Sequence, residues 1–260
     1  MKVIGRYKGK LGKIYIWENE RDGSRMYLEG EIFQSHSTQR GESQFKYVQM
    51  MDRFLAPEAN VLVLGCGGGN LATMLARAGK TVVVVDHNAT SFDIARTLFG
   101  MPGHIPSEAR DFRDYLASCD RRFDGIAIDV GGPGFCFEEQ FDEATCRHLK
   151  RVLSPGGRMI MNMLVGNDFD GSADKIANLL SGNGLTTWIF DQPGSNNRNA
   201  LIVGLSQSRK EANHRCVVSL CNADSSWTQR RPRLRPLRNP VRVEIYCRLE
   251  PPGQGRLETI

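Results

Sequence analysis

The chain has 260 residues, enough for one sizeable domain and a smaller attachment, with a composition ordinary for a globular protein: 40% hydrophobic, 24% charged. No apolar run approaches the roughly 20 residues a membrane-spanning helix needs, and Met1 to Lys13 lacks the apolar stretch of a secretory leader, so a cytoplasmic protein is expected. The formal charge of +5 is a poor guide to the substrate, because residues 206–260 hold 11 basic side chains and five acids, which leaves the rest of the chain at −1.

Residues 1–48 read as a small β unit. Lys13 to Trp17 alternates with period two, Asp22-Gly23 centres a turn, and Arg25 to Leu28 and Glu31 to Gln34 follow as further strand segments. From 49 to 205 strands and helices alternate. Strands are predicted at 60–64, 81–85, 124–129 and 157–162, and helices at about 44–55, 70–78, 90–98 and 138–152. Ser154-Pro-Gly-Gly157 reads as a break between the last of these helices and the strand after it. A helix at about 172–181 and strands at 186–190 and 200–205 complete the pattern, the last two as an antiparallel pair at one edge. Such alternation implies a mostly parallel sheet with helices on both faces. Residues 206–260 form a basic Arg/Pro-rich tail in which Val241 to Tyr246 is the one strand-like run, so much of it is expected to be extended or poorly packed.

The chemistry concentrates where the predicted strands end. Val61 to Leu64 stops abruptly in Gly65-Cys66-Gly67-Gly68-Gly69, and a helix follows. Glycines there let a ligand approach the backbone, and a helix start offers N–H groups. The next strand closes on Asp86, 21 positions after Gly65, where a ribose hydroxyl pair needs an acceptor. A dinucleotide site fits less well, because Gly65-x-Gly67-x-x-Asn70 lacks the third glycine of that fingerprint. Asp111, or Asp114 three residues later, serves the site, or the pair caps a helix near Arg113 to Leu116. Asp129 ends another apolar run, at the carboxyl end where open α/β sheets bind ligands. It is the candidate general base; the bland alternative is that it bonds the backbone N–H groups of Val130 to Gly132.

His36 and His148 lack a partner pattern, and His148 is expected on an exposed helix face. Seven scattered cysteines (66, 119, 136, 146, 216, 221, 247) contain no Cys-x-x-Cys pair. Neither set suggests a metal. Trp227 stands alone before the arginine run, so nucleic acid is not the expected partner.

Taken together, these motifs resemble the class I S-adenosylmethionine-dependent methyltransferase superfamily, and within it the spermidine synthase-like family. Leu64 to Gly69 resembles the first motif, Asp86 the acid after the second strand, Asp111 with Phe112 the adenine-contacting turn, and Leu153 to Gly157 the turn before the fifth strand. Leu28-Glu29-Gly30-Glu31-Ile32-Phe33-Gln34 is similar to the family's N-terminal segment. Tyr47-Val48-Gln49-Met50 and Phe123 to Pro133 are similar to its Tyr-His-Glu-Met and acid-Pro segments. The resemblance spans about residues 13–205. It implies a Rossmann-like fold with a mostly parallel seven-stranded sheet and a small N-terminal β unit. It implies a sulfonium donor, S-adenosylmethionine or its decarboxylated form, held by Gly65, Cys66, Gly67, Gly68, Gly69, Asp86, His87, Asp111 and Phe112 without a metal.

By family position Gln34 and Tyr47 line the acceptor side with Asp129, the acceptor is a small amine or hydroxyl, and the protein pairs as a homodimer. Three departures bear on the reaction. Gly68, Gly132 and Val48 stand where known aminopropyltransferases have Asp, Asp and His. Each missing carboxylate removes a contact worth roughly 1.5–3 kcal/mol. The resemblance thus leans to methyl transfer, with an aminopropyltransferase using Glu138, Glu139 or Asp142 as replacement acids, and a non-catalytic nucleoside-binding module, as alternatives.

Overall fold

A computed structural model describes residues 1–132, 134–206 and 227–233. Four antiparallel strands open the chain: β1 (Lys2–Lys8), β2 (Lys13–Glu18), β3 (Arg25–Glu29) and β4 (Ile32–Ser37). β1, which the sequence reading did not anticipate, has only exposed and half-buried residues. The core-facing residues Ile14, Ile16 and Tyr27 of this sheet pack against Ile94 and Phe99 of the main body.

Helices and strands then alternate through α1 (Lys46–Leu55), β5 (Asn60–Leu64), α2 (Asn70–Arg77), β6 (Thr81–Asp86), α3 (Ala89–Leu98), β7 (Ser107–Ala109), α4 (Phe112–Ser118) and β8 (Phe123–Ile128). The chain continues through α5 (Phe137–Gln140), α6 (Glu143–Val152), β9 (Leu153–Val165), α7 (Ser172–Gly182), β10 (Leu185–Asp191), β11 (Arg198–Ser206) and β12 (Thr228–Arg230). Strands β5 to β12 make one sheet in the order β12-β10-β11-β9-β8-β5-β6-β7. The stretch β9-β8-β5-β6-β7 is parallel; β11, β10 and β12 are antiparallel to their neighbours. Apolar layers cover both faces, one with α4, α6 and α7 and the other with α1, α2 and α3.

Several expectations need correction. The sheet has eight strands rather than seven, because the tail returns: β12 pairs with β10, Ile189 opposite Arg230. Trp227 is buried, Arg231 lies 4.2 Å over the Trp188 ring, and Asp174 of α7 takes both Arg230 and Arg233. Residues 227–233 are therefore a packed strap, while Val241 to Tyr246 lies outside the described residues. The single helix predicted at 138–152 is two. Asp142 is extended, and its side chain accepts from the Thr145 N–H at 2.8 Å, so it ends one helix and caps the next. Ser154 to Gly157 is not a gap between elements: β9 starts at Leu153, paired with Phe123, and absorbs the glycines at a bulge. His148 is half-buried rather than exposed.

Candidate active site

The chain passes from β5 through β6 and β7 to one side, then returns to place β8 on the other side of β5. The switch lies between β5 and β8, and the carboxyl ends of all four strands share one rim. Gly65 follows β5, Asp86 ends β6, Asp111 lies two residues past β7, and Asp129 directly follows β8. Across the switch the Asp129 N–H donates to the Leu64 carbonyl at 2.8 Å.

The glycine corner is built by close approach. Gly65 has φ +97°, and a Cβ there would stand 2.0 Å from the Asp129 carbonyl oxygen, so no other residue fits. Its amides are mostly committed. Gly65 donates to Val85, Cys66 to Asp86 Oδ2 at 2.7 Å, Gly68 to Ser35 Oγ at 2.7 Å, and Gly69 to Cys66. The corner itself thus supplies shape more than free donors, and the helix start at Asn70 follows it directly. β4 lies over it: Cβ atoms added at Gly67 or Gly68 would meet Ser35 Oγ within 3.0 Å, and the Gln34 carbonyl stands beside Gly67.

Asp86 is partly buried, and each oxygen already accepts a backbone N–H, Oδ2 from Cys66 and Oδ1 from Asn88, both at 2.7 Å. A carboxylate keeps further lone pairs, so it remains competent to accept hydroxyls. His87 is exposed, with Nδ1 3.5 Å from Asp86 Oδ1. Burial, reinforced by the nearby Asp86 charge, pushes the Cys66 thiol well above its usual range, so it stays protonated. Asp111 caps α4 by accepting from the Arg113 N–H at 2.8 Å, and its side chain is 44% exposed. Phe112 is buried and stacks on Phe141 at 5.2 Å, so its side chain belongs to the core. Asp114 is exposed in the first turn of α4.

Asp129 is held by side chains from two other elements. Tyr47 of α1 donates its hydroxyl to Oδ2 at 3.2 Å, and Asn162 of β9 donates its amide to Oδ1 at 2.9 Å. Neither bond follows from local sequence, and they replace the bland reading in which Asp129 bonds Val130 to Gly132. Burial raises the Asp129 carboxyl above the usual range, while the Asn162 and Tyr47 hydrogen bonds pull it back down. Burial and the Asp129 charge hold the Tyr47 hydroxyl protonated, as a donor. Tyr47 is placed because α1 is pinned by buried Phe54 and Leu55 and, beyond its end, by a buried Glu58–Arg158 pair at 2.6 Å. Val48, at the position of the family's His, points into the core.

Both glycines at the positions of the missing acids have close neighbours. A Cβ at Gly132 would meet Leu11 at 2.7 Å, with φ +154°. One at Gly68 would meet Phe99 at 2.9 Å and Ser35 at 3.0 Å. Of the suggested replacements, Glu138 pairs with Lys175 at 2.6 Å, Asp142 is the α6 cap, and Glu139 is exposed. Among the described residues no cluster of His, Cys, Asp and Glu fit for a metal ion occurs. Two residues escaped the sequence reading. Asn162 carried a signal, a lone amide inside the apolar run Met159 to Val165; Ser35 carried none.

Residues 61–157 match a family model described as a methyltransferase domain. The chain is 33% identical over 158 positions to the probable polyamine aminopropyl transferase of Bifidobacterium longum (strain NCC 2705), covering 55% of this chain and 34% of that protein. It is 34% identical over 113 positions to the ubiquinone biosynthesis O-methyltransferase of Xylella fastidiosa (strain 9a5c), covering 41% and 42%. It therefore spans less than half the length of these two curated relatives. The fold matches the crystal structure of a probable spermidine synthase from Corynebacterium glutamicum ATCC 13032 with a TM-score of 0.75 at 16% identity, over 89% of this chain and 92% of that chain. The chain thus has the fold of methyltransferase domains and of that probable spermidine synthase, with a four-stranded antiparallel sheet at its N-terminus.

Proposed function

We propose that the protein is a transferase that moves an alkyl group from a sulfonium nucleoside, S-adenosylmethionine or its decarboxylated form, to a small amine or hydroxyl acceptor. The observation that carries this reading is the shared rim of β7, β6, β5 and β8, with Asp111, Asp86, the glycine corner and Asp129 in a row. Asp86 would accept from the ribose hydroxyls, Asp111 from the base, and the glycine corner would allow close contact. The donor supplies an electrophilic carbon whose bond to sulfur breaks as the acceptor's lone pair attacks. Asp129 takes the proton the acceptor loses, and the walls align the reactants and exclude water.

Methyl transfer is the preferred form. Leu11 and Ser35 fill the space of the two absent acids, so the acceptor side offers Asp129 without the second carboxylate that a doubly charged diamine favours. Aminopropyl transfer from the decarboxylated donor to putrescine is the second reading, supported by the name of the Bifidobacterium relative and by the β4 segment seated over the corner. A cytoplasmic homodimer belongs to the same reading; among the described residues the cysteines are free, and no helix is long and apolar enough to cross a membrane.

Calorimetry with both nucleosides tests the proposal. Binding of S-adenosylmethionine is expected, and strong preference for the decarboxylated form would favour aminopropyl transfer. Binding of neither defeats the reading. Asp129→Asn should keep nucleoside binding and lose turnover; if no amine or hydroxyl acceptor is ever consumed by the wild type, a binding module is what remains.

A further inference from the structure

Asn162 sits near the carboxyl end of β9, opposite Leu201 of β11 and one residue beyond Met161, which pairs with Ile128 of β8. Alternation puts Met161 and Met163 in one apolar layer and Ile160 in the layer that contains α1. Asn162 shares the Ile160 face, the same side from which Tyr47 reaches Asp129. Its side chain is 8% exposed. One end of the amide donates to Asp129 Oδ1 at 2.9 Å; the other, Oδ1, is buried with no hydrogen-bond donor among the described residues.

A buried bare oxygen disfavours folding, and an apolar side chain like its methionine neighbours would fill the site without it. Packing therefore does not explain an amide here, whereas the contact with Asp129 does. Resting on the proposed transfer chemistry, we propose that Asn162 is a positioning residue: its amide, fixed by β9, locks one oxygen of Asp129 so that the carboxylate faces the acceptor in its proton-accepting form. The groups that bear on Asp129 are this amide from β9 and the Tyr47 hydroxyl from α1, which stays protonated. No lysine, arginine or histidine among the described residues forms an ion pair with it. A fixed amide and a fixed phenol from two elements leave the carboxylate little freedom to turn away.

The test needs no acceptor. In protein carrying 13C-labelled aspartate, with the signal assigned by Asp129→Asn, the Asp129 carboxyl is titrated by NMR in wild type, Asn162→Leu and Asn162→Asp. Loss of the donated hydrogen bond should raise the Asp129 midpoint in Asn162→Leu by about one pH unit. Its melting temperature relative to wild type should be higher in acid than at neutral pH, since the lost hydrogen bond serves the charged carboxylate. Asn162→Asp, which keeps the shape but sets a second carboxylate beside the first, should titrate in two steps with the upper one raised further. An Asp129 midpoint within about 0.3 of wild type in the folded variants would overturn the inference. Where turnover with S-adenosylmethionine is found, the acid limb of kcat/KM should move with the NMR midpoint. A shifted midpoint in a protein that never turns over would sustain the role of Asn162 in setting the Asp129 charge and remove the transferase reading.

Discussion

Gly68→Asp restores the acid that aminopropyltransferases carry at this position, and the structure predicts that it fails. The Gly68 φ lies outside the left-handed region, so the backbone tolerates a side chain; the obstacle is space. The new Cβ would press on buried Phe99 at 2.9 Å and on Ser35 at 3.0 Å, and the carboxylate would displace the Ser35 hydroxyl from the Gly68 N–H. Overpacking of this kind costs about 1–3 kcal/mol. The disturbed hydrogen bond adds about 1 kcal/mol, and a buried carboxylate without a cation adds more. A loss of about 3 kcal/mol or more corresponds to a melting temperature lower by roughly 6–12 °C in a domain of this size. Differential scanning calorimetry at two pH values reads both parts. An unpaired buried acid has a folded-state pKa above its unfolded value, so its penalty grows as pH rises: the deficit should be larger at about pH 7.5 than at about pH 4.5. Gly68→Ala should lose less and show no such pH dependence. Normal melting together with tighter binding of the decarboxylated nucleoside would mean that position 68 opens onto the ligand, and the steric argument would be wrong.

The strap offers a second test. Asp174→Asn removes the carboxylate that Arg230 meets at 2.5 and 3.0 Å and that Arg233 meets through its backbone and guanidinium, and should destabilise the protein by about 2–3 kcal/mol, below a fully buried pair because both arginines keep some water. Burial would raise the Asp174 carboxyl, but the Arg230 and Arg233 hydrogen bonds outweigh it and hold the carboxyl below its ordinary value. The gap in urea midpoint between wild type and variant should therefore be full at neutral pH and shrink as pH falls below about 4; a gap that widens in acid would refute the clamp. Tyr47→Phe should leave S-adenosylmethionine binding within about threefold while raising the pH at which Asp129 gains its proton by about one unit. Calorimetry and carboxyl NMR on the same sample check both, and an unmoved Asp129 would show that the Tyr47 contact is not made in solution.

How far the sequence disclosed this arrangement depended on the range of the force involved. The apolar runs at 61–64, 82–85 and 126–128 are buried on both faces, so their composition announced the parallel strands and placed Gly65, Asp86 and Asp129 at their ends. The partners of Asp129 lie 82 and 33 positions away, and no local pattern pairs Tyr47 or Asn162 with it. The cover that Ser35 puts over Gly68 spans 33 positions and was equally hidden. Asp142 looked like helix interior because glutamates flank the break, yet an acidic side chain accepts from Thr145 more readily than it continues a helix. Arginine and proline made the tail look solvated, but buried Asp174 and the Trp188 ring give Arg230, Arg231 and Arg233 partners that composition does not reveal.

A crystal structure with S-adenosylhomocysteine bound is the most direct test of where the nucleoside lies. The account predicts ribose hydroxyls within hydrogen-bond reach of Asp86, the base beside Asp111, and the sulfur turned toward the Asp129 carboxylate between Tyr47 and Asn162. A nucleoside bound elsewhere, or one over the corner with its sulfur facing away from Asp129, would contradict it.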